Sequence, residues 1–203
     1  MSKPLVVTGA HIVDPSTGLD AIGALRAEDG LIVDCVAGSA PGLPGGVELI
    51  EAKGRHLLPG LVDMRVFTGE PGHEFRETLA SAGAAAAAGG VTRFVTMPDT
   101  LPVVDDGSLV EFIARRAEQT CAVRVVVSAA ITKGLAGNEL SEFGLLKDAG
   151  VKLLTDGRKS IQSSVTPSMA ETRSSALSSV TNPSPIKRSL SRLRFAARTA
   201  AAA

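Results

Sequence analysis

Hydrolytic metal chemistry needs several His, Cys, Asp or Glu side chains brought to one point. This sequence offers few candidates. It has three histidines, His11, His56 and His73. None stands at ligand spacing from another, so each reads as a polar surface or loop residue. Cys35 and Cys121 lie far apart in apolar stretches, with no Cys-x-x-Cys spacing. They read as small buried hydrophobes kept reduced. Asp105-Asp106 reads as a helix cap, not a metal pair. Arg65 has two readings: an anion-binding group, or the salt-bridge partner of Asp63, Glu70 or Asp156. Lys133 and Lys159 read as solvated. The basic run from Lys187 to Arg194 contains no aromatic for base stacking, so no nucleic-acid partner is expected.

Composition narrows the classes. The chain has 203 residues and a formal net charge of zero. That neutrality is a sum over unlike segments. Residues 1–161 carry 15 basic and 20 acidic side chains and all 21 glycines; residues 162–203 carry 6 basic, 1 acidic, 10 Ser and 4 Thr. The tail reads as low-complexity and disordered. With no Trp, no Tyr and six Phe, the core is expected from Val, Leu, Ile and Ala. The N-terminus lacks the pattern of a secretory signal, and no long apolar run suggests a membrane span. A cytoplasmic location is therefore expected.

The elements that must position any site change character near residue 57. Residues 4–54 read as short antiparallel strands: Leu5–Val7, a turn at Gly9-Ala10, Ile12-Val13, a turn over Asp14–Gly18, Leu31–Val36, a loop at Gly42–Gly46, and Val47–Ile50. Beyond residue 57 strands alternate with helices. Strands are predicted at Leu61–Phe67, Val91–Met97, Val123–Val127 and Val151–Leu154. Helices are predicted over 74–88 with Glu74 and Glu77 in the first turn, from Asp106 or Ser108 with Leu109, Phe112, Ile113 and Ala117 on one face, and from Asn138 with Leu140, Phe143 and Leu146. This alternation implies right-handed βαβ units and a parallel sheet covered on both faces.

Several ordered motifs then carry a resemblance. Leu58-Pro59-Gly60-Leu61-Val62-Asp63-Met64-Arg65-Val66-Phe67 resembles the first barrel strand of the dihydroorotases, in the cyclic amidohydrolase superfamily. Glu77-Thr78 is similar to that family's first helix start. Ala86–Thr92 resembles its Ala-Ala-Gly-Gly-Phe-Thr run, and Met97-Pro98-Asp99-Thr100 its Met-Pro-Asn-Thr. Gly9 to Gly18 is similar to its entry strand. The resemblance spans about residues 4–161. It implies an α/β fold, the N-terminal half of a TIM-like (β/α)8 barrel preceded by part of a small β-sandwich. The implied division is 1–56 for the sandwich part, 57–161 for the barrel part and 162–203 for the tail.

The resemblance also implies a zinc-dependent reaction in which a metal-bound hydroxide opens the cyclic amide of dihydroorotate. The family's Asp-x-His-x-His puts two imidazoles on one strand face, because side chains alternate with period two. Here those histidine positions hold Arg65 and Phe67. The family's substrate Arg position is Gly69, its substrate Asn position is Asp99, and a further family His corresponds to Phe75. Asp156 lies near the family's fourth-strand acidic ligand and is the residual metal candidate. No intact catalytic, metal or substrate set is therefore expected, and no cofactor. The replacements resemble the non-catalytic dihydroorotase-like proteins that associate with aspartate carbamoyltransferase in pyrimidine synthesis. That enzyme is the expected partner, with a homo-oligomer as a further state. The alternatives are an active zinc dihydroorotase and a fragment without function. A complete barrel typically takes about 250 residues, so the chain reads as a truncated one. The break at Ile161 is read as a shifted frame, or else as a genuine tail.

Overall fold

The computed structural model describes residues 3–39, 45–159 and 161. Residues 42–44 of the expected loop, and the tail from 162 onward, lie outside the described residues. Two compact units divide after Pro59.

The first unit is one mixed sheet. Strands β1 (Leu5–Asp14), β2 (Leu19–Glu28) and β3 (Leu31–Ala37) pair antiparallel. Strands β4 (Glu48–Glu51) and β5 (His56–Leu57) pair parallel to β1. The antiparallel reading thus holds only for the first three strands. The pairing of β5 also carries this unit past residue 56. The Asp14–Gly18 turn forms as expected: the Asp14 carboxylate accepts from the Ser16 amide at 2.9 Å and the Thr17 hydroxyl at 3.0 Å. Gly18 has φ +73°.

Gly9-Ala10 is not a turn. Gly9, at φ +69°, sits in a bulge within the continuous β1, where the register slips between Thr8 and Ala10. A positive-φ glycine inside a strand is a common bulge signature. Strand β2 had no counterpart among the expected elements. Its core-facing row keeps Leu19 and Leu25 as the large apolar residues, and Ala21 and Gly23 between them are too small to continue the hydrophobic pattern. Gly23 is there for closeness, since a Cβ would lie 2.2 Å from the Val36 carbonyl oxygen. Val7, Ala10, Ile12 and Ala52 form this unit's core.

The second unit alternates strand and helix: β6 (Leu61–Val66), α1 (Leu79–Ala88), β7 (Val91–Thr96), α2 (Gly107–Thr120), β8 (Arg124–Ala129), α3 (Phe143–Asp148) and β9 (Leu153–Leu154). The sheet is parallel throughout, in the order β6-β7-β8-β9. This is the N-terminal half of a TIM-like barrel, as expected.

Helix α1 starts at Leu79, not at residue 74. Thr78 is its cap: the Thr78 hydroxyl accepts from the Ser81 amide at 3.1 Å, and Ser81 Oγ accepts from the Thr78 amide at 3.0 Å. This reciprocal box fixes the start where the backbone donors are satisfied. Glu74 and Glu77 therefore precede the helix. Negative charge at its N-terminus comes from Glu70, whose Oε2 accepts from the Leu79 amide at 2.8 Å, and from Glu77, which accepts from the Ser81 hydroxyl.

Asp106 caps α2, accepting from the Leu109 amide at 3.1 Å and from the Ser108 hydroxyl. The buried face is Val110, Ile113 and Ala117, while Phe112 is 50% exposed. Helix α3 begins at Phe143, not near Asn138, because the preceding segment pairs instead. Leu140 bridges Thr132, and the Ser141 amide donates to the Ile131 carbonyl at 2.9 Å.

The core of this unit lies between the helices and β8, around Leu79, Ile113, Val127, Ala129 and Leu146. Coverage of both sheet faces fails at β6. Leu61, Val62 and Met64 are 59%, 53% and 58% exposed. No helix among the described residues is long and apolar enough to cross a membrane.

Candidate functional site at the strand C-termini

In a parallel α/β sheet the loops that follow the strands gather at one end, and side chains there can meet. Here those loops follow Val66, Thr96, Ala129 and Leu154. Burial rises toward that end. Thr68, Thr96, Thr100, Ser128 and Asp156 are all buried polar residues there.

Asp156, the residual metal candidate of the resemblance, has its carboxylate already engaged. Oδ1 accepts from the Ile131 and Thr132 amides at 2.8 and 3.0 Å, and Oδ2 from the Thr132 hydroxyl at 2.7 Å. It staples the loop after β8 to the end of β9. The Thr132 hydroxyl in turn accepts from the Gly137 amide at 3.0 Å.

Arg65 is exposed on β6. Its amide donates to Asp63 Oδ1 at 2.9 Å. Its guanidinium forms none of the three expected ion pairs. Asp63 turns a carboxylate oxygen to the backbone, and Asp156 is held as above. Glu70 binds Arg116 Nε at 2.9 Å while capping α1. Glu70 and Arg116 are 46 residues apart, so no local spacing could have revealed this pair. Phe67 follows β6 and is half-buried.

Gly69 is where the family resemblance would place an arginine, and no side chain fits there. Its φ is +68°, and a Cβ would stand 2.6 Å from the His73 carbonyl oxygen and 2.9 Å from that of Glu77. Phe75 projects outward, 81% exposed. It packs edge-on to His73, with Arg76 over its ring.

Asp99 meets Arg158 Nη2 at 3.3 Å. Its other oxygen, Oδ1, and the Thr96 hydroxyl are buried without a hydrogen-bond partner among the described residues. Arg158 was not among the expected site residues. Neighbouring Lys159 is not simply solvated, because its ammonium donates to the Leu135 carbonyl at 3.0 Å. Asp156, Arg158 and Lys159 border an open depression of about 440 Å³ with Leu135, Ala136 and Gly137. Lys133 pairs with Glu139 at 2.5 Å, which raises its pKa.

Elsewhere, the structure joins two histidines that spacing kept apart. His11 and His56 stand opposite on β1 and β5 and stack at 5.0 Å between centroids. His11 Nε2 lies 2.6 Å from Asp20 Oδ1. Both cysteines are free thiols, and burial raises the pKa of Cys121. Among the described residues no group of three His, Cys, Asp or Glu side chains is placed to hold a metal ion. With Arg65 and Phe67 at the end of β6 and the Asp156 carboxylate hydrogen-bonded to residues 131 and 132, the described strand ends offer no side-chain set that fits a zinc ion.

A parallel strand–helix sheet with its loops gathered at the strand ends is a fold shared with solved hydantoinases. The solved L-hydantoinase (dihydropyrimidinase) of Arthrobacter aurescens superposes with TM-score 0.64 at 22% identity, covering 76% of this chain and 32% of that one. A D-hydantoinase superposes with TM-score 0.56 at 18% identity, covering 75% of this chain and 39% of that one. The family model described as "Dihydro-orotase-like" matches residues 54–184. The chain belongs to the dihydroorotase-like family. It is 38% identical over 161 residues to the dihydroorotase of Syntrophus aciditrophicus (strain SB), covering 79% of this chain and 38% of that protein. It is 38% identical over 152 residues to that of Geobacter metallireducens, covering 75% and 35%. The chain thus spans less than two fifths of the length of the curated relatives it matches.

Proposed function

We propose that this chain is a non-catalytic dihydroorotase-like protein that serves pyrimidine synthesis as a structural partner of aspartate carbamoyltransferase. The observation that carries the reading is the state of the strand ends. Arg65 on β6 and Phe67 just beyond it stand at the family's two histidine positions, and the Asp156 carboxylate accepts three hydrogen bonds from residues 131 and 132. Neither a guanidinium nor a phenyl ring is a metal ligand at neutral pH. At the substrate positions, Gly69 is enclosed by carbonyl oxygens, and Asp99 opposes a carboxylate instead of binding one. The scaffold features persist around these changes: the Thr78 cap, the Gly89-Gly90 helix end and the strand order.

The purified chain is expected to retain no stoichiometric zinc and to give no turnover of dihydroorotate above the blank. It is expected to co-purify with aspartate carbamoyltransferase at micromolar concentration. Stoichiometric zinc with turnover would establish the competing reading, an active amidohydrolase, which the identity to curated dihydroorotases favours. Absence of any association would remove the partner role.

A further inference from the structure

The first unit carries a pair of imidazoles on the face of its sheet that points away from the core. Strands β1 and β5 run parallel, and their register sets His11 level with His56 and Ile12 level with Leu57. Ala10, Ile12 and Leu57 pack in the core of this sheet, so alternation turns His11 and His56 to the opposite face. The two rings stack there at 5.0 Å between centroids, with 27° between their planes. Neither ring is enclosed: His11 is half-buried and His56 is exposed. Leu19 packs against the same core, which puts the neighbouring Asp20 on the histidine face. Asp20 Oδ1 lies 2.6 Å from His11 Nε2.

That contact fixes which nitrogen is free. An ionised carboxylate only accepts hydrogen bonds, so Nε2 carries the hydrogen, and in the neutral ring Nδ1 keeps its lone pair. A carboxylate behind an imidazole is the usual support of a metal-bound histidine, because it orients the ring and makes the other nitrogen a better donor.

We propose that His11 and His56 form a two-ligand site for a late first-row divalent transition ion, with Asp20 supporting His11 from behind. Imidazole suits copper, nickel and zinc, whereas magnesium and calcium take oxygen ligands. Two nitrogens bound to one such ion at about 2.0–2.1 Å lie roughly 3 Å apart. Two surface rings on level positions of adjacent strands can turn about their side-chain bonds to reach that separation, and water completes the coordination. No third His, Cys, Asp or Glu joins them in a metal-holding group among the described residues. Zinc centres that keep their metal use three or four protein ligands. A site with two exchanges its ion, so it is read at equilibrium and not as metal retained through purification. The ion would tie β5 to β1 at one of the two register pairs these strands share.

Equilibrium dialysis of the full 203-residue chain, without an affinity tag, against nickel(II) tests this. Nickel does not oxidise the free thiols of Cys35 and Cys121. One nickel per chain is expected to bind at submillimolar free metal in neutral buffer. His11→Ala and His56→Ala are each expected to abolish that binding, and His73→Ala to leave it unchanged. Asp20→Ala is expected to weaken it by about tenfold. In the wild-type chain, paramagnetic nickel is expected to broaden the ring-proton resonances of His11 and His56 and to spare those of His73. No binding at submillimolar nickel overturns the proposal, as does binding that survives the loss of either histidine. Equal broadening of all three histidines overturns it as well. An affinity unchanged by Asp20→Ala would remove the carboxylate from the site. None of these readouts involves dihydroorotate or aspartate carbamoyltransferase, so the proposal stands or falls separately from the partner role.

Discussion

Single residues carry the clearest consequences. Gly69 has a left-handed backbone and carbonyl oxygens where a Cβ would go. Gly69→Ala is expected to lower stability by at least about 2 kcal/mol, combining the left-handed penalty with overpacking. Urea unfolding monitored by circular dichroism reads this directly. Glu70 is buried and holds both the Leu79 amide and Arg116. Glu70→Ala strands the buried amide and should cost about 1–3 kcal/mol. Glu70→Gln keeps an acceptor for that amide and should cost less, since half-exposed Arg116 adds little. Equal losses for the two variants would show that the charge matters more than the cap. The double variant Arg65→His/Phe67→His tests the strand ends. Because Asp156 stays bound to Ile131 and Thr132, two histidines alone should not retain zinc through gel filtration, as metal analysis would show.

At the scale of elements, helix starts follow the side chain that satisfies the free backbone donors, which often differs from where the acidic residues cluster. The Asp106 cap of α2 adds a pH dependence. Hydrogen bonds from the Ser108 hydroxyl and the Leu109 amide hold its carboxyl below the ordinary aspartate range. A folded-state pKa below the unfolded one stabilises the protein above the unfolded value, and that gain is lost as pH falls through the folded one. Asp106→Asn keeps a capping oxygen but cannot titrate. Its stability is expected to fall less than that of wild type between neutral and acid pH, measured as denaturation midpoints. The legibility of elements follows the same logic. Strands β7 and β8 and the face of α2 at Ile113 and Ala117 could be read from apolar runs and helical spacing. Strand β2 could not, because Ala21 and Gly23 interrupt its core-facing row between Leu19 and Leu25. The start of α3 could not, because Asn138 competes with a bridge from Leu140 to Thr132.

At the scale of the molecule, the exposed apolar side chains of β6 set how the chain behaves in solution. Leu61, Val62 and Met64 are each more than half exposed. Clustered apolar surface on a strand promotes association on concentration. Met64→Lys is therefore expected to reduce aggregation on concentration, read by light scattering, with helix content unchanged by circular dichroism. Equal aggregation of the variant and the wild-type chain would show that this strand is not the sticky surface.

The sequence by itself determined the family, the strand–helix alternation, the turn at Asp14–Gly18 and the occupants of the expected ligand positions. These rest on local chemistry: residue type, period and turn preference are written in consecutive positions. Only the tertiary structure decided which charges meet. Glu70 takes Arg116 instead of Arg65, Asp99 takes Arg158, Asp156 is spent on two backbone amides, and His11 finds His56 across a strand pair. Each of these partnerships spans at least 24 residues of chain, and burial and register, not spacing, bring them together.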